Sequence, residues 1–245
     1  MEIVITMAGL GTRFRQAGYN EPKYMIKAHG RTLFEWAMES LKSFRRAEDF
    51  YTFIVRQEDR AASFIEEKCK DIQIVGHRVV ELKNQTDGQA TTAMLASRSW
   101  NDEDELLIYN IDTYVEAGCM NPGQIHGDGF IPCFKAEGDH WSFVRLNESG
   151  RAVEVREKER ISDNCTLGAY YFRTCRLYET MYNEYYSDPS RLEKGEKYIA
   201  PLYNHMIEKG MKVYISDVDP QSVHVLGTPS ELNEFIESYD CKKDQ

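Results

Sequence analysis

The chain has 245 residues, a formal net charge of −10 and 42% hydrophobic residues, which is typical of a globular protein with a full core. The negative charge argues against a nucleic-acid-binding surface, which usually needs a basic stripe. Six cysteines without a C-x-x-C pair predict reduced thiols rather than a disulfide framework or a zinc site. Without a leader-like segment or an apolar window of membrane-spanning length, we expect a cytoplasmic protein with no membrane partner.

The first half of the chain alternates segments typical of strands and of helices. Strands are predicted over residues 3–7, 51–55, 72–75, 79–82 and 105–110, and helices over residues 32–44, 58–69 and 87–99. Thr32 and Glu35 form a capping-box pattern at the start of the first of these helices. Such alternation predicts a parallel sheet covered by helices on both faces, with ligands at the carboxyl ends of its strands.

The second half predicts antiparallel additions to this sheet. Strands are predicted over residues 130–134, 142–146, 153–156 and 167–172, and helices over residues 175–186 and 198–209. Thr228, Pro229 and Glu231 predict the start of a last helix that ends near Tyr239. Because no linker or repeat interrupts the chain, we predict one α/β domain over residues 1–240 and a polar tail over residues 241–245. The domain is expected to be a Rossmann-like three-layer sandwich with a mixed, mostly parallel sheet.

A glycine-containing loop follows the first strand. The run Ala8-Gly9-Leu10-Gly11-Thr12-Arg13 is followed by Pro22-Lys23. Glycines let the backbone bend and expose its N–H groups to an anion, and Arg13 and Lys23 can neutralise polyphosphate charge. The spacing matches neither a P-loop nor a dinucleotide-binding fingerprint. The run therefore predicts a phosphate-binding loop of another kind.

Asp112 follows the apolar strand 106–110 by two residues. A carboxylate at the carboxyl end of a strand, beside a phosphate loop, is well placed to hold Mg²⁺. The alternative is a turn aspartate that caps its own backbone. Its position beside the first loop favours the metal.

Together these segments resemble the sugar-1-phosphate nucleotidyltransferases (the NDP-sugar pyrophosphorylase-like family), and they are most similar to the short members found in capsule and polysaccharide loci. The resemblance spans nearly the whole chain and implies a GT-A-type fold. It also implies the reaction: Mg²⁺-dependent transfer of an NMP from an NTP to a phosphorylated acceptor, a sugar 1-phosphate first of all, with release of pyrophosphate.

The resemblance also implies roles for individual residues. The late D-x-G-T-P signature of the family is matched by residues 225–229, and the acceptor pair by Glu157-Lys158. The implied sites are triphosphate binding by Ala8, Gly9, Leu10, Gly11 and Thr12, phosphate stabilisation by Arg13 and Lys23, base contacts from Gln85 and Gly88, acceptor binding by Glu157, Lys158 and Glu196, and metal binding by Asp112.

One position departs from the family pattern. The second metal carboxylate should precede the late Gly-Thr-Pro, but that residue is Val225. Either Asp112 holds the metal with phosphate oxygens alone, or Asp217, Asp219 or Glu196 replaces the missing carboxylate.

Three other functions stay open at this point. One is a cytidylyltransferase acting on a non-sugar phosphate such as phosphocholine, glycerol phosphate or a phosphorylated amino acid. Another is a GT-A-type glycosyltransferase, which usually carries D-x-D where this chain has Asn110-Ile111-Asp112. The third is a non-catalytic nucleotide-binding regulator. The sequence leaves open which NTP and acceptor are used, and whether the chain forms a homodimer.

Overall fold

The computed structural model describes residues 1–239, which form fourteen strands and seven α-helices. The strands are β1 (Glu2–Thr6), β2 (Lys27–Ala28), β3 (Arg31–Thr32), β4 (Phe50–Arg56), β5 (His77–Leu82), β6 (Leu106–Asn110), β7 (Thr113–Val115), β8 (Gly129–Lys135), β9 (Ser142–Leu146), β10 (Ala152–Glu157), β11 (Asn164–Thr166), β12 (Ala169–Phe172), β13 (Val213–Asp217) and β14 (Val223–Val225). The helices are α1 (Thr12–Gln16), α2 (Leu33–Ser40), α3 (Ala62–Asp71), α4 (Gln89–Met94), α5 (Cys175–Tyr185), α6 (Leu202–Glu208) and α7 (Pro229–Ser238).

Ten strands form one mixed sheet in the order β10-β9-β11-β8-β12-β6-β1-β4-β5, with β13 paired to β8. The half that contains β6, β1, β4 and β5 is parallel throughout. Strands β12, β11 and β10 run opposite to the other seven. The predicted mixed sheet, mostly parallel in strand direction, is therefore confirmed.

Helices cover both faces of the sheet, as alternation along the central strand requires. Ile3 and Ile5 of β1 belong to one buried core, which includes residues of α2 and α3. Val4 belongs to a second core, which includes residues of α4, α5 and α6. The predicted single-domain three-layer sandwich is confirmed.

A two-stranded ribbon outside the main sheet carries the late signature. β14 pairs antiparallel with β7, and Val225 lies opposite Thr113. The N–H of Leu226 donates to the carbonyl oxygen of Asp112 over 2.8 Å. Beneath the ribbon, Leu226 packs in a third apolar cluster with residues of α2 and α7. The ribbon thus joins the end of the chain to the segment that follows β6.

One predicted strand does not form, and two helices start later than predicted. Residues 72–75 form a turn after α3, because Gln73 adopts a left-handed φ of 61° and the Ile74 N–H donates to the Cys69 carbonyl. The helix expected from residue 58 starts at Ala62, since Arg60 is also left-handed. The helix expected from residue 198 starts at Leu202.

Six strands, β2, β3, β7, β11, β13 and β14, lie where the sequence predicts none. The predicted tail over residues 241–245, like residue 240, lies outside the described residues. No helix within residues 1–239 is long and apolar enough to cross a membrane.

Candidate active site

A cleft of about 470 Å³ opens at the carboxyl ends of β1, β4 and β6. It is lined by parts of the glycine loop, by residues 21–24, by the ends of the three strands, by residues 85–89, and by Gly195 and Glu196. The register of β1 places Thr6 beside Asn110 of β6, so the loops that follow these strands start next to one another. The sheet therefore brings the predicted phosphate loop and the predicted metal carboxylate to one edge.

The glycine loop offers unpaired main-chain donors. Gly11 adopts a left-handed φ of 61°, which turns the chain into α1. The N–H groups of Gly9, Leu10 and Gly11 donate no hydrogen bond to any residue in the described part of the chain. A methyl group on Gly9 would meet nothing within 4 Å, so this stretch of backbone is open to a ligand. Such a loop can bind an anion through its backbone.

Lys23 and Asp112 form an ion pair in the cleft. The Lys23 Nζ donates to Asp112 Oδ2 over 2.9 Å, although the two residues lie 89 positions apart in the chain. Both side chains are partly shielded from solvent, which strengthens their interaction relative to a surface pair. The structure thus brings together the predicted phosphate-stabilising lysine and the predicted metal ligand.

The predicted base-contacting turn packs tightly against the segment before α6. Gly88 has a φ of 142°, and a methyl group there would lie 2.4 Å from the Lys197 carbonyl oxygen. Asp87 pairs with Lys197 through side chains 2.8 Å apart, and the Lys197 N–H donates to the Asp87 carbonyl. Gln85 lies at the exposed edge of the same turn and lines the cleft. Only glycine fits at position 88 without moving residue 197.

The predicted acceptor residues form a neighbouring polar cluster. The Lys158 Nζ donates to Tyr198 Oη over 2.7 Å and lies 3.6 Å from Glu157 Oε1. Burial raises the pKa of the Glu157 carboxyl, whose other oxygen accepts from the Ser142 hydroxyl. Glu196 interacts with Tyr198 and also lines the cleft, whereas Glu157 and Lys158 do not line it. The cluster therefore adjoins the cleft through Glu196.

The structure separates Thr12 and Arg13 from this arrangement. Both are exposed on α1 and neither lines the cleft, whereas Arg15 does. Their predicted roles in phosphate binding stay predictions.

Several lining residues were not predicted from the sequence. Gln89 donates to Thr6 Oγ1 over 3.1 Å and also to Asn110 Oδ1, and so holds the ends of β1 and β6 together. Tyr24 donates to Asp59 Oδ2 over 3.1 Å. Arg56 pairs with the same carboxylate. Position at the end of a parallel strand is a signal that could have found Arg56 and Asn110.

The charge of the cleft is unusual for a polyphosphate site. Its lining has five acidic side chains (Glu21, Asp59, Asp87, Asp112, Glu196) and three basic ones (Arg15, Lys23, Arg56). Because acids outnumber bases, a bound polyanion would need additional positive charge.

The carboxylates near Asp112 bear on whether a metal fits. Hard carboxylate oxygens suit Mg²⁺, which is often bound through one or two carboxylates plus phosphate oxygens. Within residues 1–239 no group of three or more His, Cys, Asp or Glu side chains could hold a metal. Glu231 Oε2, close to Asp112, is buried and has no hydrogen-bond partner in this part of the chain. Glu231 does not itself line the cleft, but its Oε2 and Asp112 Oδ2 each lie 3.4 Å from a methyl group placed on Gly227, so a site of two carboxylates completed by a nucleotide fits.

Two of the three candidates to replace the missing carboxylate are bound elsewhere. Asp217 lies 3.7 Å from the Lys135 ammonium. Asp219 accepts from the Gln221 N–H. Neither lines the cleft. Glu196 lines it, but on the side of the predicted acceptor cluster.

Comparison with known proteins identifies the kind of enzyme. The chain matches no protein-family model and no curated protein sequence. A solved nucleoside-diphosphate-sugar pyrophosphorylase from Vibrio cholerae RC9 is 36% identical, with a TM-score of 0.90 over 96% of this chain and 100% of that one.

Two more distant structures share the fold. An inositol-1-phosphate CTP transferase from T. maritima is 17% identical, with a TM-score of 0.74 over 98% of each chain. A CTP:phosphocholine cytidylyltransferase from Streptococcus pneumoniae is 16% identical, with a TM-score of 0.74 over 96% of this chain and 97% of that one.

The fold and the 36% identity to the Vibrio cholerae protein define a nucleotidyltransferase. More narrowly, the chain belongs to the sugar-1-phosphate nucleotidyltransferase family of NDP-sugar pyrophosphorylase-like enzymes. The resemblance inferred from the motifs is confirmed. Nucleotidyl transfer is accordingly favoured over the glycosyltransferase and over the non-catalytic regulator.

Proposed function

We propose that the protein transfers an NMP from an NTP to a sugar 1-phosphate with Mg²⁺ and releases pyrophosphate, to make precursors of capsule or surface polysaccharide. The observation that carries this proposal is the 2.9 Å contact between Lys23 and Asp112, in one cleft with the glycine loop. The 36% identity to a nucleoside-diphosphate-sugar pyrophosphorylase supports the sugar 1-phosphate as acceptor.

The chemistry we propose is a direct displacement. An oxygen of the acceptor phosphate attacks the α-phosphorus of the NTP, and the bond from that phosphorus to pyrophosphate breaks. A phosphate monoester is largely ionised at neutral pH, so the attacking oxygen needs no general base. The protein then has to hold the NTP and the acceptor phosphate together and to neutralise the negative charge that builds up between them.

Different residues in and beside the cleft would bind the triphosphate, the base, the acceptor and the metal. The free N–H groups of residues 9–11 and the Lys23 ammonium would bind the triphosphate. Gln85 and the Gly88 backbone would contact the base, and Glu196 with the adjoining Lys158 would bind the acceptor. Asp112 would hold Mg²⁺, which supplies positive charge to phosphates that a cleft rich in acids would otherwise repel.

A substrate screen tests the proposal. The purified chain is incubated with Mg²⁺, each of CTP, UTP, dTTP, ATP and GTP, and a panel of sugar 1-phosphates, phosphocholine, glycerol phosphate and phosphorylated amino acids. Pyrophosphate release is the readout, with EDTA and single-substrate reactions as controls. We expect release only when one NTP and one sugar 1-phosphate are both present.

Other outcomes of the screen have defined meanings. Faster release with CTP and a non-sugar phosphate would establish the cytidylyltransferase alternative. Undiminished release in EDTA would refute the metal requirement. If no pair of NTP and acceptor releases pyrophosphate, the proposed reaction is overturned.

A further inference from the structure

Glu231 is partly exposed as a residue, but one oxygen of its carboxylate is buried. This atom, Oε2, has no hydrogen-bond partner within residues 1–239. No basic side chain in this part of the chain lies within salt-bridge distance of it. Removing a carboxylate oxygen from water without a partner is costly, and a bound ion is one of the explanations for such an atom in a native fold.

This oxygen lies close to the predicted metal ligand. A methyl group placed on Gly227 would be 3.4 Å from Asp112 Oδ2 and 3.4 Å from Glu231 Oε2. The two oxygens therefore lie within twice that distance of one another, on the same side of Gly227. Because residue 227 is glycine, it places no side chain at the point that both carboxylate oxygens approach.

The fold explains why Glu231 reaches this place. The backbone bond from Leu226 to Asp112 fixes the late ribbon beside the end of β6, and α7 starts three residues after Leu226. Glu231 lies in the first turn of α7, where its N–H donates to Thr228 Oγ1. Val225, at the position where the family has its second carboxylate, lies opposite Thr113 in the ribbon and has no oxygen to offer from its side chain.

We infer that Glu231 is the second metal-binding carboxylate of this enzyme and acts with Asp112 in place of the residue at position 225. The inference rests on the proposed Mg²⁺-dependent function. Since Mg²⁺ keeps several waters, a site with one direct and one water-mediated carboxylate suits this ion.

Mn²⁺ binding tests the inference without any turnover. Mn²⁺ is titrated onto the chain with each NTP in turn and no acceptor, and bound metal is measured by water-proton relaxation. Glu231→Gln should weaken Mn²⁺ binding by about tenfold or more, the scale seen when groups that support a metal site are lost. Asp112→Asn should weaken it as well, whereas Glu35→Gln, at the matching position of α2, should bind Mn²⁺ like the wild type.

A second readout separates a metal ligand from a helix cap. In EDTA, Glu231→Gln should melt at a higher temperature than the wild type, because a partly buried carboxylate with one unpaired oxygen is removed from beside Asp112, which has the same charge. A residue that only stabilised the start of α7 would lower the melting temperature when changed.

The outcomes also distinguish this inference from the proposed reaction. Equal Mn²⁺ affinity in Glu231→Gln and wild type would overturn the role of Glu231, even if the substrate screen shows turnover. Wild-type chain that binds Mn²⁺ through Glu231 but releases no pyrophosphate with any pair would overturn the reaction and leave the metal site standing. Absence of Mn²⁺ binding by the wild type with every NTP would overturn both.

Discussion

The starts of α2 and α7 carry the same four-residue signature and use it differently. In α2, Thr32 Oγ1 accepts from the Glu35 N–H, and the Glu35 carboxylate accepts in turn from the Thr32 N–H over 2.8 Å. In α7, Thr228 Oγ1 accepts from the Glu231 N–H over 3.2 Å, but within the described residues no donor reaches Glu231 Oε2. The capping box of α2 therefore forms both of its hydrogen bonds, whereas that of α7 forms only the one from the Glu231 N–H (we call these the closed and the open cap).

The surroundings of the two glutamates match this difference. The other oxygen of Glu35 is paired with Lys68 on α3 over 3.2 Å, so that carboxylate is fully used in structure. Glu231 lies near Asp112, a carboxylate of the same charge whose own partner is Lys23. The comparison teaches that a capping signature predicts where a helix starts but not what its glutamate does.

The largest expected effect is on catalysis, and it compares Lys23, the partner of Asp112, with Lys68, the partner of Glu35. Lys23→Ala should lower kcat/KM by about a hundredfold or more, because an electrostatic stabiliser of the reacting phosphates is lost. Lys68→Ala, which removes the lysine paired with Glu35, should leave kcat/KM unchanged. Steady-state pyrophosphate release for both variants, with circular dichroism to verify folding, measures this. Near-normal turnover of a folded Lys23→Ala variant would remove Lys23 from the proposed mechanism.

A smaller effect compares the two caps directly. Thr32→Ala should destabilise the fold by about 1 to 2 kcal/mol, because its hydroxyl makes two hydrogen bonds with Glu35. Thr228→Ala should cost about 0.5 to 1 kcal/mol, since only one bond is lost. Urea unfolding of both variants gives the two values. An equal loss would mean that Glu231 also closes its capping box in solution, and the contrast would fail.

The smallest effect is a pH dependence at the closed cap. Burial alone would raise the pKa of Glu35, but the hydrogen bonds from Thr32 and Lys68 outweigh it and hold this pKa below the usual 4.5. The ionised carboxylate therefore stabilises the fold above pH 4.5, and this contribution is lost as the pH falls through the lowered pKa. Glu35→Gln should be less stable than wild type by about 0.5 kcal/mol at pH 7.

Melting temperatures of Glu35→Gln and wild type, measured over a range of pH, check this prediction. The difference in melting temperature between wild type and Glu35→Gln should shrink as the pH is lowered below 4.5. A difference that stays constant down to pH 3 would contradict a charge-based role for Glu35.

Much of the fold follows from local patterns. The alternation of apolar segments predicts β1, β4 and β6, and capping residues predict the starts of α2 and α7. The errors lie where local signals are weak or misleading. Residues 72–75 pair with no strand in the described part of the chain, and Val75 is 93% exposed. The three-residue strands β11 and β14 are defined by their pairing, which the local sequence does not encode.

The candidate site likewise contains residues that the sequence predicts and residues that it does not. The glycine loop, Lys23, Asp112 and Gly88 are predicted from sequence, and the structure lines one cleft with them. Tyr24, Arg56 and Asp59 are not predicted. Arg56 and Asp59 pair locally at the end of β4, but Tyr24, which donates to Asp59, lies 35 positions earlier in the chain.

By itself, the sequence determined the family, the α/β class and the loop that follows β1, because glycine spacing, periodicity and helix caps act over a few residues. Tertiary structure decided which side chains meet. It placed Lys23 on Asp112, packed Gly88 against residue 197, and left an oxygen of Glu231 buried beside Asp112 without a hydrogen-bond partner in the described chain. Those outcomes depend on distances between segments far apart in the chain, which sheet order and helix packing fix and local sequence does not.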